Sequence, residues 1–266
     1  MYKVLLFSVS WLFAFSSYVQ AGEFDHSQWD ALAKANVVNI NQGASTQVNY
    51  SAFKKQRSEL KAYLSALSKV SQKQFDAMPK QEQLAFLINA YNAWTVELIL
   101  TKYPDLESIR DLGSLFSSPW KKEFIPLLGA TVSLDHIEHE LIRGSGRYNE
   151  PRIHFAVNCA SIGCPALRAE AYTGEKIEAQ LEEQTHLFLA DASRNRFEDG
   201  ELKLSSIFKW YRGDFEEGWR GADSLHGFIA LYAKPLNLPA SAVQKLKSED
   251  IDIDFLDYDW RLNDTQ

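Results

Sequence analysis

The chain has 266 residues and sets 28 Lys plus Arg against 35 Asp plus Glu, a formal charge of −7 at pH 7. Without a dense basic tract, that balance argues against nucleic acid as a partner, since counterion release needs clustered Lys and Arg. A composition 45% hydrophobic and 13% aromatic is ample for a packed core and argues against disorder as the main state.

Met1-Tyr2-Lys3 is a positive n-region, residues 4–19 are mostly apolar, and Val19-Gln20-Ala21 places small residues where a signal peptidase reads. The pattern predicts a secretory signal over residues 1–21, cleaved after Ala21, and a single periplasmic or secreted domain over residues 22–266. Later apolar stretches are interrupted by charge or Asn, so no membrane span is expected after cleavage. Export would place the only two cysteines, Cys159 and Cys164, in an oxidising compartment. There a disulfide and a catalytic thiol are both open readings.

Ser27 is placed to cap a short helix through Lys34. Residues 37–48 lack a helical period and contain Gly43, which reads as loop or weak strand. From Tyr50 onward Phe53, Leu60, Tyr63, Leu64 and Leu67 recur at helical spacing, and residues 71–78 form a short helix stopped by Pro79. Residues 80–101 are apolar on nearly every side and predict a buried central helix. Asn89 and Asn92 share a face of it; buried amides need partners, so they either tie down neighbouring backbone or line a site.

Residues 108–116 read as a short helix. Residues 124–128 and 131–134 around Gly129 read as a hairpin, with Pro126 restricting its strand to an edge. Ser133 or Asp135 then caps a helix through Arg143. Residues 152–165 open as an apolar run holding His154, break into small residues around Cys159 and Cys164, and stop at Pro165. This is how a strand end or short buried segment delivers a side chain to a turn. An amphipathic helix follows over 175–190, then a hairpin around Asp199-Gly200 and an aromatic cluster at 207–215. Helices at 225–233 and 240–246 precede a strand-like tail at 251–256. The whole predicts one mainly helical α+β domain with a central buried helix and small β-hairpins.

Several motifs in this order resemble the family catalogued as domain of unknown function 547. They are Ala85 to Ala93, Ile137-Glu138-His139 with Arg143, His154 to Cys159 with Cys164-Pro165, Ile207 to Tyr211 with Asp214-Phe215, and Tyr258-Asp259-Trp260. The resemblance runs from about Gln81 to Asn263. It implies that Cys159 is the functional thiol and that a Cys159–Cys164 disulfide is not obligatory.

A thiol becomes a nucleophile when an imidazole favours the thiolate and a third polar group orients that imidazole. Cys159 is the expected nucleophile, His139 or His154 its base, and Glu138, Asn89 or Asn92 the orienter. Backbone N–H groups around Ala160 and Ser161 are expected to receive an oxyanion. On one regular strand His154 and Cys159 would face opposite sides, which favours His139. The expected function is that of a thiol-dependent hydrolase or acyltransferase on peptide or amide bonds of a peptide or envelope-derived substrate, with no cofactor.

Two alternatives stand beside it. One is a non-catalytic envelope protein whose cleft, lined by Trp94, Trp210, Tyr211 and Trp260, holds a ligand or a protein. The other is a zinc site from His136 and His139, three apart on a helix, completed by Cys159 or His154. The spacing is not the His-Glu-x-x-His of a metalloprotease helix.

Overall fold

The computed structural model describes residues 22–114 and 117–265. The expected signal segment, residues 1–21, and the end of the helix expected at 108–116 lie outside the described residues. The fold is mainly helical α+β, with small separate sheets around one long helix.

The N-terminal part opens with α1 (Ser27–Asn36) and a hairpin of β1 (Val37–Ile40) and β2 (Ser45–Val48), so the weak strand signal there is a real antiparallel pair. The helix expected from Tyr50 is two, α2 (Tyr50–Lys55) and α3 (Arg57–Ser68), broken at Gln56. Next, α4 (Gln72–Asp76) starts with a capping box between Ser71 and Gln74. Then α5 (Lys80–Leu100) runs about 30 Å, and every residue from Glu82 to Leu100 is buried. Its sequence has no polar stripe because α2, α3, residues 134–143 and the later α7 (Ile177–Ala190) all pack around it.

A short 3₁₀ turn, Ile109–Leu112, replaces the expected helix there. The hairpin of β3 (Ile125–Leu127) and β4 (Ala130–Val132) follows, with Pro126 exposed in a two-stranded sheet where both strands are edges. Ser133 accepts from the His136 N–H and caps α6 (Leu134–His136), which continues as a π-helical segment, Ile137–Arg143. Gly144 N–H closes that segment on the His139 carbonyl at 2.8 Å, an i→i+5 bond that the sequence did not announce.

Downstream, β5 (Arg196–Glu198) and β6 (Glu201–Ser205) form the hairpin signalled by Asp199-Gly200. The edge of β6 is completed by a parallel β7 (Ile253–Leu256). Between them lie α8 (Ser206–Trp210), α9 (Arg212–Phe215), α10 (Leu225–Leu231) and α11 (Ala240–Lys247).

Buried apolar side chains form two clusters, one around α5 and one built on Phe155, Phe188, Phe208, Phe215 and Phe228. Residues 151–158 run along their junction. Ile153, Ala156 and Val157 belong to the first cluster, whereas Phe155 belongs to the second. Ile153 and Phe155, fully buried, each contribute roughly 1.5–3 kcal/mol. The segment is therefore held from both sides, with His154 fixed between its anchors.

Candidate functional site

Residues 151–155 are not a strand. Pro151 opens a 3₁₀ turn, Pro151–Phe155, and the chain then runs irregularly into the cysteine loop. The parity argument that set His154 and Cys159 on opposite faces fails for this reason. Both side chains line one cleft of about 210 Å³, together with Asp135, Glu138, His139, Cys164, Tyr211, Tyr258 and the indoles of Trp120, Trp210 and Trp260. Trp94 is not among the lining residues; it is buried edge-on against Phe124. Asn89 and Asn92 do not line the cleft either.

The two asparagines of α5 instead act as backbone partners. Asn92 donates to the Ala156 carbonyl at 3.0 Å and accepts from the Asn158 N–H at 2.8 Å, clamping the chain just ahead of Cys159. Asn89 does the same for Tyr172, at 2.7 and 3.0 Å. The cysteine loop is shaped further by Asn158, whose Oδ1 accepts the Ala160 N–H at 2.9 Å while Ala160 takes a left-handed φ of 62°. That bond occupies the Ala160 N–H, one of the two donors expected to receive an oxyanion.

Cys159 and Cys164 are joined as a disulfide, one of the two readings left open for them. The Cys159 N–H donates to the Cys164 sulfur at 2.9 Å. The Tyr258 hydroxyl lies 2.9 Å from the Cys159 sulfur and 3.1 Å from that of Cys164. Tyr258 arrives with a C-terminal segment that bonds the loop through Gly163 N–H to Asp259 O and Ile162 N–H to Arg261 O. A Cβ at Gly163 would sit 3.0 Å from the Tyr258 ring and from the Asp259 nitrogen, so any larger residue would have to push this segment back. Burial pushes the Tyr258 phenol well above its ordinary pKa, so it stays a donor at any working pH.

The histidines occupy different electrical situations. Arg143 donates bidentately to Asp214 at 2.6 and 2.8 Å and lies 2.6 Å from His139 Nδ1. A guanidinium has no acceptor, so His139 Nδ1 must accept and its Nε2 must carry the proton, which faces Asp135 at 3.4 Å. His139 is thereby a positioned neutral donor with no free lone pair.

His154 is the opposite case. Its Nε2 lies 2.7 Å from Asp214, its ring stacks on Tyr211 at 4.0 Å, and its Nδ1 has no protein partner among the described residues. Burial opposes ionisation of Asp214, yet hydrogen bonds from Arg143 and His154 overcome this and hold its carboxyl far below the usual range. Burial pulls the His154 imidazole below its ordinary value, and the Asp214 hydrogen bond and the Glu138 charge do not fully offset it. Near neutral pH His154 is therefore neutral, with its proton on Nε2 toward Asp214 and a bare lone pair on Nδ1.

Glu138 is buried and accepts the hydroxyls of Tyr91 and Tyr211, whose pKa values rise through burial first and that carboxylate second. Its carboxylate is thus held by two phenols rather than orienting an imidazole. Sequence reasoning used Asp214 and Tyr258 only as parts of a resemblance and gave neither a role. Asp214 lies 60 residues beyond His154, and Tyr258 lies 99 beyond Cys159. Among the described residues no group of three His, Cys, Asp or Glu side chains is arranged to hold a metal ion.

A mainly helical α+β domain with sulfur, imidazole and carboxylate facing one aromatic cleft is the class that fold and site define. Residues 75–189 match the model of the family described as "Protein of unknown function, DUF547". The match takes in His139, Arg143, His154 and both cysteines and ends before Asp214 and Tyr258. No curated protein and no solved structure matches the chain.

Proposed function

We propose that the protein is an exported thiol-dependent hydrolase or acyltransferase acting on amide or related acyl bonds, working in its dithiol form. The observation that carries this reading is the state of His154: a neutral imidazole with a bare Nδ1 in the wall that holds Cys159, and its other nitrogen on an ionised Asp214. That is the base-and-orienter half of a triad, in which the orienter fixes the tautomer and steadies the imidazolium that forms. His154, rather than His139, is the base in this reading, and Asp214, rather than Glu138 or an asparagine, is the orienter.

A dithiol reductant opens the disulfide and is itself oxidised to a disulfide. Cys159 then passes its proton to His154 Nδ1 and attacks the acyl carbon. The Tyr258 hydroxyl, next to that sulfur, is placed to donate to the developing oxyanion. His154 returns the proton to the leaving group, and water completes the turnover of the thioester. The expected export and periplasmic or secreted location belong to the same proposal. No helix among the described residues is long and apolar enough to cross a membrane.

The test is acylation of the reduced full chain by p-nitrophenyl acetate, followed by optical release of nitrophenolate and by mass spectrometry of the adduct. Acylation of Cys159 is expected about 10²–10⁴ times faster than that of an unstructured thiol peptide, the range a positioned base supplies. A rate equal to the peptide's would end the catalytic reading. The rate should persist below pH 6.5, because the lowered pKa keeps His154 neutral there.

The engagement of both sulfurs in a disulfide favours a second reading, a non-catalytic cleft whose indole walls hold a ligand. A chain whose disulfide resists reduction while folded, and which binds ligand in that state, would select it.

A further inference from the structure

We propose that the Cys159–Cys164 disulfide is polarised for exchange with small thiols, Cys159 being the sulfur attacked and Cys164 the sulfur that leaves. This is an activity beyond acyl transfer and does not rest on it. The two sulfurs differ in access. Cys164 is 3% exposed, whereas Cys159 is partly exposed in the cleft wall. They also differ in what awaits a negative charge. The Cys164 sulfur receives the Cys159 N–H at 2.9 Å, and the Tyr258 hydroxyl, 2.9 Å from the Cys159 sulfur and 3.1 Å from that of Cys164, is within reach of whichever sulfur becomes the thiolate. Donors to a sulfur favour its thiolate, and a better-stabilised thiolate leaves faster.

The step balances as follows. An incoming thiol loses its proton to solvent, and its sulfur bonds to the Cys159 sulfur. The Cys159–Cys164 bond breaks with its electron pair going to Cys164. A second thiol displaces Cys159, so two thiols are oxidised to one disulfide and the protein is left with two thiols. The cleft also sets the charge of the thiol. Its lining holds the carboxylates of Asp135 and Glu138 and, among the described residues, no Lys or Arg. Neutral and cationic thiols are therefore favoured over anionic ones.

The experiment uses the oxidised full-length chain and limiting 2-mercaptoethanol, quenched with acid and mapped by mass spectrometry. The mixed disulfide is expected on Cys159 over Cys164 by at least tenfold; equal labelling, or labelling mainly of Cys164, would overturn the proposal. So would a folded protein whose disulfide reacts no faster than that of an unstructured peptide with the same cysteine spacing.

Rates with cysteamine and with 3-mercaptopropionate, each divided by the rate on that peptide, should differ by about tenfold in favour of cysteamine. The reverse order would remove the charge argument. Tyr258→Phe keeps the ring packed on Trp210 and Trp260 and should slow exchange by about tenfold, a loss expected of a missing charge-stabilising donor. None of these readouts uses an acyl substrate. A protein inert to esters that passes them loses the hydrolase reading alone.

Discussion

His26 and His154 are both buried imidazoles near a carboxylate, one at the N-terminal end of the domain and one at the cleft. His26 pairs through Nδ1 with the Tyr63 hydroxyl at 2.7 Å, and its Nε2 stands 3.8 Å from Glu82. That carboxylate is already engaged by the Phe24 and Gly174 N–H groups. His154 has its carboxylate at 2.7 Å, and the carboxylate is held in turn by Arg143. Burial alone thus makes a neutral histidine in both places. What differs is that Asp214 is near enough to fix a tautomer and that His154 lines the same cleft as the Cys159 sulfur.

The sharpest way to break this comparison is to neutralise each carboxylate. Asp214→Asn should cut Cys159 acylation about 10³- to 10⁴-fold, because the amide no longer fixes the tautomer that bares Nδ1. Glu82→Gln should leave the same rate within about twofold, since it touches no group in the cleft. Stopped-flow acylation of the two reduced variants checks both; equal losses would erase the distinction.

Titration separates the pair next. Burial lowers His26 from 6.5 to about 4, so the unfolded chain takes up a proton that the folded chain refuses. The stability this group supplies is fully present above pH 6.5 and is lost as pH falls toward 4, a change of about 3 kcal/mol. Urea midpoints should fall over that window, and His26→Gln, which keeps a partner for Tyr63, should flatten the fall. His154 acts in the same direction, so some slope should remain in that variant.

The asparagines of α5 give a smaller contrast. Asn89→Ala and Asn92→Ala each strip two buried backbone groups of their partners and should cost about 2–3 kcal/mol by denaturant melts. Only Asn92→Ala should also slow acylation, because Asn92 holds the chain on either side of Val157. The least effect is expected at Trp210, 48% exposed at the rim. Trp210→Ala should change stability by less than about 1 kcal/mol and raise KM several-fold with little change in kcat.

Much of the fold could be read locally. The all-round apolar character of residues 80–101 marked the buried helix, and Asp199-Gly200 marked a hairpin, because those signals depend on near neighbours. The Cys159, His139, His154 and Glu138 constellation was also visible as a set of chemical types, and all four line the cleft. Three things were not legible. The run at 152–157 is too short for periodicity to tell strand from helical turn, and the choice of a strand set His154 and Cys159 on opposite faces, although both line one cleft. The π-helical segment, closed by the Gly144 N–H on the His139 carbonyl, rests on i→i+5 bonds that no residue pattern encodes. The partners of His154 and Cys159 come from remote parts of the chain, and only the packing of the two apolar clusters brings them in.

The C-terminal segment that brings Tyr258 to the sulfurs also decides when the cleft can exist. Asn263 meets Asn158 across 105 residues of sequence, and it bonds Val48 and Tyr50 as well. Contacts of that span wait until the chain between them is compact, because closing a long loop costs entropy before any packing repays it. A half-folded chain therefore owns the cysteines, the histidine and the central helix but has no enclosed cleft and no tyrosine beside its sulfurs.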